Sequence, residues 1–320
     1  MTSLSRVAFG VPQKFSGRLS DCSRLTKWKL SLWVSATGAA GFFMNTPVLS
    51  PEFFYSSGGI FLCSSAAHVF NQIMERRTDA LMTRTRNRPV ASGRVSPLKA
   101  AGFGTFCVAS GSSLLYLTSG PAAAPLALMN VVLYTCGYTV LKRRTQWNTH
   151  VGAVVGAIPP LIGYVASGGS FFAPQPWMLF GLMYVWQLPH FYSLAWLYRK
   201  DYINAGLKMY GTDDDSGRTT ALTSVKWVTL LTTMPVIYSY TGLVSPYYAM
   251  VTLLPNVFIN HKCLRYLDDP TRQSATSFFL HSLWHVLMLV GLASYYVANE
   301  HKESERNRHV TTLTHGTIST

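Results

Sequence analysis

The sequence predicts an all-α, polytopic membrane protein with about nine transmembrane helices. Three observations support this fold class: apolar runs recur along the chain, only 12% of the residues are charged, and the basic residues concentrate in alternate connections. Soluble proteins have about 25% charged residues, and a helix needs about 20 apolar residues to cross a bilayer. The composition therefore argues against an ordinary soluble domain.

Apolar runs near spanning length fill residues 27–298, which we predict to be the membrane domain. Several contain Gly or Pro, which membrane helices tolerate when neighbouring groups satisfy the backbone. Gly152 and Gly156 in the fifth run have the small-residue spacing that predicts a close helix approach. The nine runs are 28–46, 52–74, 98–118, 121–141, 148–168, 175–198, 222–242, 246–267 and 275–298.

The distribution of basic residues tests this count. A net charge of +14 could by itself indicate a nucleic-acid partner. With nine spans, however, 24 of the 27 Lys and Arg residues lie at the amino terminus or in connections on the same side of the membrane. This asymmetry is the positive-inside pattern of membrane proteins. We therefore expect membrane lipid around the protein and no nucleic-acid partner.

The two termini differ from the membrane domain in composition. Residues 1–26 are basic and Ser-rich with a single acid, Asp21, which predicts a mitochondrial transit peptide; a disordered cytoplasmic tail is the alternative. Residues 299–320 have mixed charge and no periodicity, which predicts a polar, disordered tail. We expect a multi-pass protein of the mitochondrial inner membrane with its charged loops facing the matrix.

The segment 71–97 concentrates the residues suited to chemistry. Asn71, Glu75 and Asp79 are four residues apart, so on a continuous helix they share one face within roughly 12 Å. Their oxygens suit Mg²⁺, which often bridges to substrate phosphates, although a solvated loop between two spans is the alternative. Guanidinium groups, which bind phosphate bidentately, come from Arg76, Arg77, Arg84, Arg86, Arg88 and Arg94.

Two other connections face the same side by the parity of the spans. The 199–221 connection supplies Arg199, Asp201 and the acidic cluster 213–215, and glycines on both sides of that cluster predict a solvated loop. The connection after the fourth span adds Lys142, Arg143 and Arg144. Acids and basic residues from three loops predict a metal–diphosphate site at one end of the bundle.

Three segments resemble motifs of the UbiA-type intramembrane prenyltransferases. Residues 71–97 resemble the motif NQxxExxxDxxMxRTxxRPxxxGxxSP. Residues 138–164 are similar to YTxxKR…NTxxGAxxGAxPPxxGY, and residues 185–209 to WQxPHFxxLxWxxRxDYxxAGxxM. One departure is Ala205, which stands four residues after Asp201 where the wider superfamily commonly has a second Asp. This departure fits the haem-prenylating branch better than a quinone branch, but leaves the second metal site incomplete.

The resemblance implies a UbiA-type bundle around a lipid-accessible cavity. The implied reaction transfers a farnesyl group from farnesyl diphosphate to a vinyl group of haem B, forming haem O on the route to haem A of cytochrome c oxidase. Haem B is then a substrate, Mg²⁺ the cofactor, and haem A synthase or another copy of the chain an expected partner.

The resemblance also implies residue roles. The expected metal ligands are Asn71, Glu75, Asp79 and Asp201. The expected diphosphate-binding residues are Arg84, Arg88, Lys142, Arg143 and Arg199, and the expected catalytic residues are Asp79, Arg84, Lys142 and Arg143. Aromatic walls that would stabilise an allylic cation are expected from Tyr164, Trp186, Phe191 and Tyr192. The candidates for haem contacts are His150, His190, His281 and His285, although a lone histidine in a span is more often a hydrogen-bonded structural group.

Two other functions remain open at this point. A UbiA-type enzyme that prenylates a quinone precursor would use the same motifs with another acceptor. A polytopic transporter would place its acids near the membrane midplane between repeats, whereas the acids of this chain lie at helix ends.

Overall fold

The chain forms a bundle of long helices, and no β-strand occurs in the residues that this computed structural model describes, 13–316. Residues 1–12 and 317–320, parts of the predicted transit peptide and tail, lie outside the described residues. The helices are α1 Gln13–Leu25, α2 Trp28–Asn45, α3 Pro51–Met74, α4 Arg76–Leu81, α5 Pro97–Ser119, α6 Ala123–Val132, α7 Thr139–Leu141, α8 Asn148–Ala166, α9 Pro174–Leu197, α10 Arg199–Asn204, α11 Arg218–Tyr240, α12 Pro246–Asp268 and α13 Arg272–Gly316.

The predicted all-α class is confirmed, and the long helices begin and end within four residues of the predicted apolar runs, with one exception. The exception is α13, which continues as helix into the segment 299–320; the proposed division into domains stays a prediction. By length and composition, four helices of the described chain could cross a membrane: Pro97–Ser119, Ala123–Leu141, Asn148–Ala166 and Arg272–Glu300.

Local sequence signals explain where several helices begin. Ser50 precedes Pro51, and its hydroxyl accepts a hydrogen bond from the amide of Phe53 at 3.4 Å. Ser96 precedes Pro97 and accepts in the same way from Lys99 at 3.3 Å. A Ser cap satisfies an amide that the helix leaves free, and Pro fits the first helical position because it has no amide to lose.

Helices α2 and α8 cross closely near the centre of the bundle. A Cβ atom on Gly163 of α8 would overlap the backbone of Gly38 on α2, and one on Gly41 would overlap the backbone of Pro160. The prediction of close packing at Gly152 and Gly156 is also confirmed. The side chain of Tyr138 occupies the space that a Cβ on Gly152 would need, and the side chain of Gln187 occupies that of Gly156. Glycine therefore lets α2 and α8 pack backbone against backbone, and lets the side chains of Tyr138 and Gln187 pack against the backbone of α8.

A π-helical turn, Leu133–Tyr138, joins α6 to α7 in one continuous helical run. Such turns contain an extra residue and are frequent at functional sites. Here the turn faces α3. Tyr134 contacts His68, and the hydroxyl of Thr139, directly after the turn, accepts a hydrogen bond from Asn71 Nδ2 at 3.1 Å. The π-helical turn thus sets which side chains of this run point at the segment that begins at Asn71.

Candidate active site

A cavity of about 250 Å³ lies between α2, α3, α6, α8 and α9. Most of its wall is aliphatic or aromatic, with Ile60, Val131, Val155 and Ile162 among the contributors. Its other end is polar and is lined by Lys27, Asn71, Glu75, Asp79, Arg84, Arg88 and Lys142. This division suits a ligand with an anionic head and an apolar tail.

Asn71, Glu75 and Asp79 all line the polar end and are all buried, although the helix is interrupted between them. Helix α3 ends at Met74 and α4 begins at Arg76, with Glu75 between them. The backbone keeps its four-residue spacing across the break, because the Glu75 amide donates to the Asn71 carbonyl at 2.9 Å and the Asp79 amide to that of Glu75 at 2.7 Å. The predicted line of oxygen side chains therefore survives the break.

Each of these three side chains faces a basic side chain. The Lys27 ammonium donates to Asn71 Oδ1 at 3.4 Å. Lys142 Nζ lies 2.9 Å from Glu75 Oε1, and Arg88 donates to both carboxylate oxygens of Asp79 at 2.8 Å. The side chain of Asp79 is fully buried and that of Arg88 is 20% exposed. The two carboxylates are thus paired with cationic side chains that a metal ion could replace, and both have little contact with solvent.

The pair of Glu75 and Lys142 shows how burial and charge compete. Burial alone would raise the pKa of the Glu75 carboxyl, but the neighbouring Lys142 ammonium, helped by Lys27, holds that pKa below its ordinary value. Burial likewise disfavours the charged form of Lys142, yet the attraction of Glu75 raises the pKa of Lys142 above its ordinary value. Both groups are therefore ionised, and each depends on the other for its charge.

Lys27 is a residue of the site that the sequence did not reveal. It lies between α1 and α2 with φ of 46°, the one non-glycine residue of the described chain in the left-handed region, a conformation that is uncommon for such residues. Gln72 fixes the preceding segment by donating to the carbonyls of Arg24 and Leu25, each at 2.9 Å. Burial, and then the nearby Arg88 and Lys142, lower the pKa of Lys27 well below its ordinary value.

His68 is a second cavity residue that the sequence did not single out. It lies one helical turn inward from Asn71, and its Nδ1 is 3.3 Å from the hydroxyl of Tyr134. Its Nε2 is buried and has no hydrogen-bond partner. A single histidine within an apolar run gives no sequence signal for such a position, because only the packing of α3 on the π-helical turn defines it.

Aromatic residues do line the cavity, but only one of them was expected. Phe191 is a lining residue, together with Tyr134 and Tyr138. The expectation for Tyr164, Trp186 and Tyr192 as linings is wrong, because their side chains are engaged elsewhere. The indole of Trp186 donates to the Ser282 carbonyl at 2.7 Å, Tyr192 packs on Tyr210, and Tyr164 belongs to the core beside α9.

Three other predicted residues lie away from the cavity. Asp201 and Arg199 line a neighbouring cleft, and that cleft shares the side chain of Arg84 with the cavity. Asp201 Oδ2 accepts a hydrogen bond from the Arg84 amide at 3.2 Å. Arg143 is exposed and lines neither space. The structure thus brings Asn71, Glu75, Asp79, Arg84, Arg88 and Lys142 together around the cavity. Asp201 contacts Arg84 from the neighbouring cleft, whereas Arg199 and Arg143 do not line the cavity.

The four histidines considered for haem contacts also lie outside the cavity, and each has a protein partner. His150 Nδ1 is 2.9 Å from the Tyr184 hydroxyl, and His190 Nδ1 is 2.8 Å from Ser282 Oγ. The Nδ1 of His281 lies 2.6 Å from the Ser277 carbonyl, and the Nε2 of His285 lies 2.8 Å from Asn256 Oδ1. The contacts of His150, His190 and His285 join different helices, and that of His281 lies within α13. Such contacts are typical of structural histidines.

The acidic cluster 213–215 is only partly the solvated loop that the sequence predicts. Asp213 and Asp215 are exposed. Asp214 instead accepts four hydrogen bonds within 2.9 Å: from the Ser216 hydroxyl and Gly217 amide on Oδ1, and from the amide and hydroxyl of Thr220 on Oδ2. Asp214 therefore fixes the start of α11, which corrects the expectation for this residue.

The cavity oxygens fit Mg²⁺. No group of three His, Cys, Asp or Glu side chains suitable for a metal occurs among the described residues. Glu75 and Asp79 nevertheless offer two carboxylates, and Asn71 offers an amide oxygen. Each of these oxygens now faces a basic side chain, so a divalent cation in the same place would be attracted in the same way. Mg²⁺ is usually held by one or two carboxylates plus substrate phosphates, so this donor set is sufficient once a phosphate is present.

The class of protein follows from this fold and site. The sequence profile of the UbiA prenyltransferase family matches residues 31–284, and the chain belongs to that family. It is 39% identical over 270 residues to human "Protoheme IX farnesyltransferase, mitochondrial", covering 84% of this chain and 60% of the human protein. It is 32% identical over 281 residues to "Protoheme IX farnesyltransferase" of Opitutus terrae, covering 86% of this chain and 94% of that protein. The chain therefore spans about 60% of the length of its human relative.

Solved structures share the fold. A digeranylgeranylglyceryl phosphate synthase superposes with a TM-score of 0.71 at 14% identity, over 88% of this chain and 99% of that one. A UbiA homologue from Archaeoglobus fulgidus, solved with GPP and Mg²⁺ bound, superposes with a TM-score of 0.61 at 14% identity, over 86% of this chain and 99% of that one. At this identity the likeness establishes the helical bundle alone.

Proposed function

We propose that the protein transfers a farnesyl group from farnesyl diphosphate to the terminal carbon of a vinyl group of haem B. Diphosphate leaves, and water adds to the other vinyl carbon, which forms haem O. The observation that supports this most directly is the cavity, whose buried acid–base pairs stand at one end of an apolar chamber. Relatives named protoheme IX farnesyltransferase, at 32% and 39% identity, support the choice of donor and acceptor.

The polar end binds the diphosphate in this proposal. Glu75, Asp79 and Asn71 would hold Mg²⁺. Asp201, which contacts the Arg84 amide where the cleft adjoins the cavity, would be a further ligand. The metal, when bound, would stabilise the negative charge that develops on the departing diphosphate. Arg88 and Lys142, once released from the carboxylates, would bind the phosphate oxygens together with Lys27 and Arg84 on the cavity wall. Arg143 and Arg199, which the sequence predicted as further diphosphate partners, do not line the cavity and have no part in this proposal.

The apolar part of the cavity holds the prenyl chain and excludes water. Breaking the allylic C–O bond leaves a cation that must meet the acceptor before it meets water, so a dry wall is a chemical requirement. Tyr134, Tyr138 and Phe191 present aromatic faces to this space, and such faces stabilise a nearby cation.

The direct test uses purified protein with farnesyl diphosphate, haem B and Mg²⁺, followed by mass spectrometry of the porphyrin product. We expect prenylated haem, and loss of product when the metal is chelated. Parallel reactions with 4-hydroxybenzoate test the quinone-precursor alternative. Prenylation of that acceptor but not of haem B would contradict the proposed function.

We also propose about nine spans in the mitochondrial inner membrane, with the 71–97 and 199–221 segments facing the matrix and the carboxyl terminus on the opposite side. The positive-inside distribution and the names of the mitochondrial relatives support this arrangement. Protease added to mitoplasts should remove a tag placed after Thr320 and spare one placed near Thr212. A protected carboxyl-terminal tag would contradict the nine-span topology. Haem A synthase or a second copy of the chain remains the expected partner, and co-purification tests it.

A further inference from the structure

A second space, a cleft of about 850 Å³, lies beside the cavity at the same end of the bundle. Its walls come from the segment after α4, the junction of α9 and α10, and the turn before α13. The ionisable residues that line it are Arg84, Arg199, Lys200, Arg272, Asp201 and Asp215. Four basic side chains against two acidic ones leave an excess of two positive charges.

The guanidinium groups of this cleft are held by aromatic rings and carbonyl oxygens. Arg84 and Arg272 lie over the same ring, that of Tyr198, at 5.0 and 5.9 Å from its centroid. Arg199 lies 4.7 Å from the Trp196 ring. Arg199 also donates to the Trp196 carbonyl and Arg272 to the Leu197 carbonyl, each at 3.2 Å. The contacts orient the guanidinium groups without using most of their five N–H donors.

Carboxylates do not neutralise these arginines. Among the described residues, the salt bridges involve Arg88, Arg94 and Lys142, and none involves an arginine of the cleft. Asp201 accepts instead from the Arg84 backbone amide. Arg272 is the first residue of α13, so the partial positive charge of that helix end adds to the field. The cleft is therefore an oriented set of unneutralised guanidinium groups.

We propose that this cleft binds the two propionate carboxylates of the tetrapyrrole acceptor, with Arg199 and Arg272 as the principal partners. The inference rests on the proposed haem-prenylating function and adds the site that holds and orients the acceptor. Planar guanidinium groups match carboxylates in a bidentate geometry. Two carboxylates also balance the excess charge of the cleft.

The chemistry of haem B makes this position consistent with transfer. Its propionates lie on the opposite edge of the ring from its vinyl groups, so fixing the propionates at the cleft directs the vinyl edge away from it. The cavity begins on the other side of the Arg84 side chain, which lines both spaces. Donor and acceptor would then be bound by different sets of basic residues that meet at Arg84.

The test compares haem B with its propionate dimethyl ester as acceptors, in nanodiscs of neutral phospholipid. For the unmodified protein we expect the KM for the diester to exceed that for haem B about tenfold. Arg272→Gln and Arg199→Gln should raise the KM for haem B about tenfold and leave the KM for the diester within about twofold. Both should leave the KM for farnesyl diphosphate unchanged, because neither residue lines the cavity. Arg272→Lys should restore only part of the preference for haem B over its diester.

The matched control is Arg265→Gln, an exposed arginine near the end of α12 that lies outside the cleft. Arg265→Gln should leave the KM values for haem B and for its diester unchanged. Thermal unfolding of each variant checks that a loss of affinity is not a loss of fold.

Several results would overturn the inference. Equal use of haem B and its diester by the unmodified protein would do so while leaving the proposed function intact. An effect of Arg272→Gln that appears only in discs with anionic lipid would assign the cleft to lipid phosphates. A raised KM for farnesyl diphosphate in Arg199→Gln would return that residue to the diphosphate site. Absence of any prenylated haem from the unmodified protein would instead contradict the proposed function.

Discussion

Two segments of this chain that contain acidic residues, 71–79 and 213–215, hold their carboxylates in different ways. Asp79 is fully buried and receives both of its short hydrogen bonds from the guanidinium of Arg88. Asp214 is partly exposed and receives its hydrogen bonds from the Ser216 hydroxyl and Gly217 amide of its own loop and from the amide and hydroxyl of Thr220 in the first turn of α11. A cationic side chain can be exchanged for a metal ion or follow a phosphate, whereas a backbone amide cannot move without unfolding the turn.

The kind of partner therefore separates a candidate ligand from a structural acid better than acidity or burial does. Asp79 and Glu75 are candidates because their partners, Arg88 and Lys142, are themselves suited to phosphate. Asp214 is not a candidate, since its partners define the start of α11. Substitutions in the two segments should consequently affect different measured quantities.

The largest expected effect is that of Asp79→Asn. The change keeps the size of the side chain and removes its charge, so turnover should fall at least about a hundredfold, or roughly 2.7 kcal/mol of barrier. Affinity for haem B should change little, and the protein should still fold and insert. Single-turnover formation of prenylated haem measures the first effect, and haem titration the second.

The control for Asp79→Asn is Asp213→Asn, in an exposed acid of the second segment. It should leave turnover and thermal stability unchanged. Normal turnover in Asp79→Asn, or an equal loss in both variants, would remove the basis for treating 71–79 as the metal-binding segment.

A smaller effect is expected from Lys27→Met, which tests the residue that joins the polar end from outside the recognised motifs. Losing one partner of the diphosphate should raise the KM for farnesyl diphosphate about tenfold, or about 1.4 kcal/mol. The ligand-free protein should be no less stable, because burial and two neighbouring cations already oppose the charge of Lys27, as its lowered pKa indicates. Steady-state kinetics and thermal unfolding measure these two quantities. Unchanged KM would exclude Lys27 from the diphosphate site.

The smallest effect on turnover is expected from Asp214→Asn, which should instead cost about 1–3 kcal/mol of stability through lost hydrogen bonds at the start of α11. Burial tends to raise the pKa of Asp214, but the hydrogen bonds from Thr220, Ser216 and Gly217 lower it below 3.8. A carboxyl whose pKa is lower in the folded state stabilises the fold above its unfolded pKa and loses that contribution as the pH falls through the folded pKa.

The difference in thermal stability between the unmodified protein and Asp214→Asn should therefore be full at neutral pH and shrink only below about pH 4. Unfolding scans across that range check this. A loss of turnover per folded molecule at neutral pH would show that Asp214 takes part in the reaction.

The helices and the 71–79 line could be predicted because both depend on local patterns. Apolar runs of spanning length define the helices, and a spacing of four residues places Asn71, Glu75 and Asp79 together even though the helix breaks at Glu75. The sequence did not show the break, but the backbone hydrogen bonds that cross it preserve the spacing.

The remaining site residues depend on contacts between distant parts of the chain. Lys27 reaches Asn71 because Gln72 fixes the segment before α2, and no local pattern encodes that contact. His68 enters the cavity while the four histidines singled out from the sequence pack elsewhere. Arg199 and Asp201 belong to the same motif-like segment, 185–209, as several cavity residues. The long helix nevertheless ends at Leu197, and both residues line the neighbouring cleft.

The π-helical turn at Leu133–Tyr138 makes the active site sensitive to helix type as well as to residue type. The turn takes up one residue more than an α-helical turn for about the same rotation. If the run became an ordinary α-helix at its present length, every residue after the turn would rotate by about 100° relative to α6, and Lys142 would turn away from Glu75. Deleting the exposed Cys136 would remove the extra residue, so the resulting α-helix would keep Lys142 in its present direction. The buried ion pair therefore depends on holding the extra residue in a π-helical turn, even though none of the members of the pair lies in that turn.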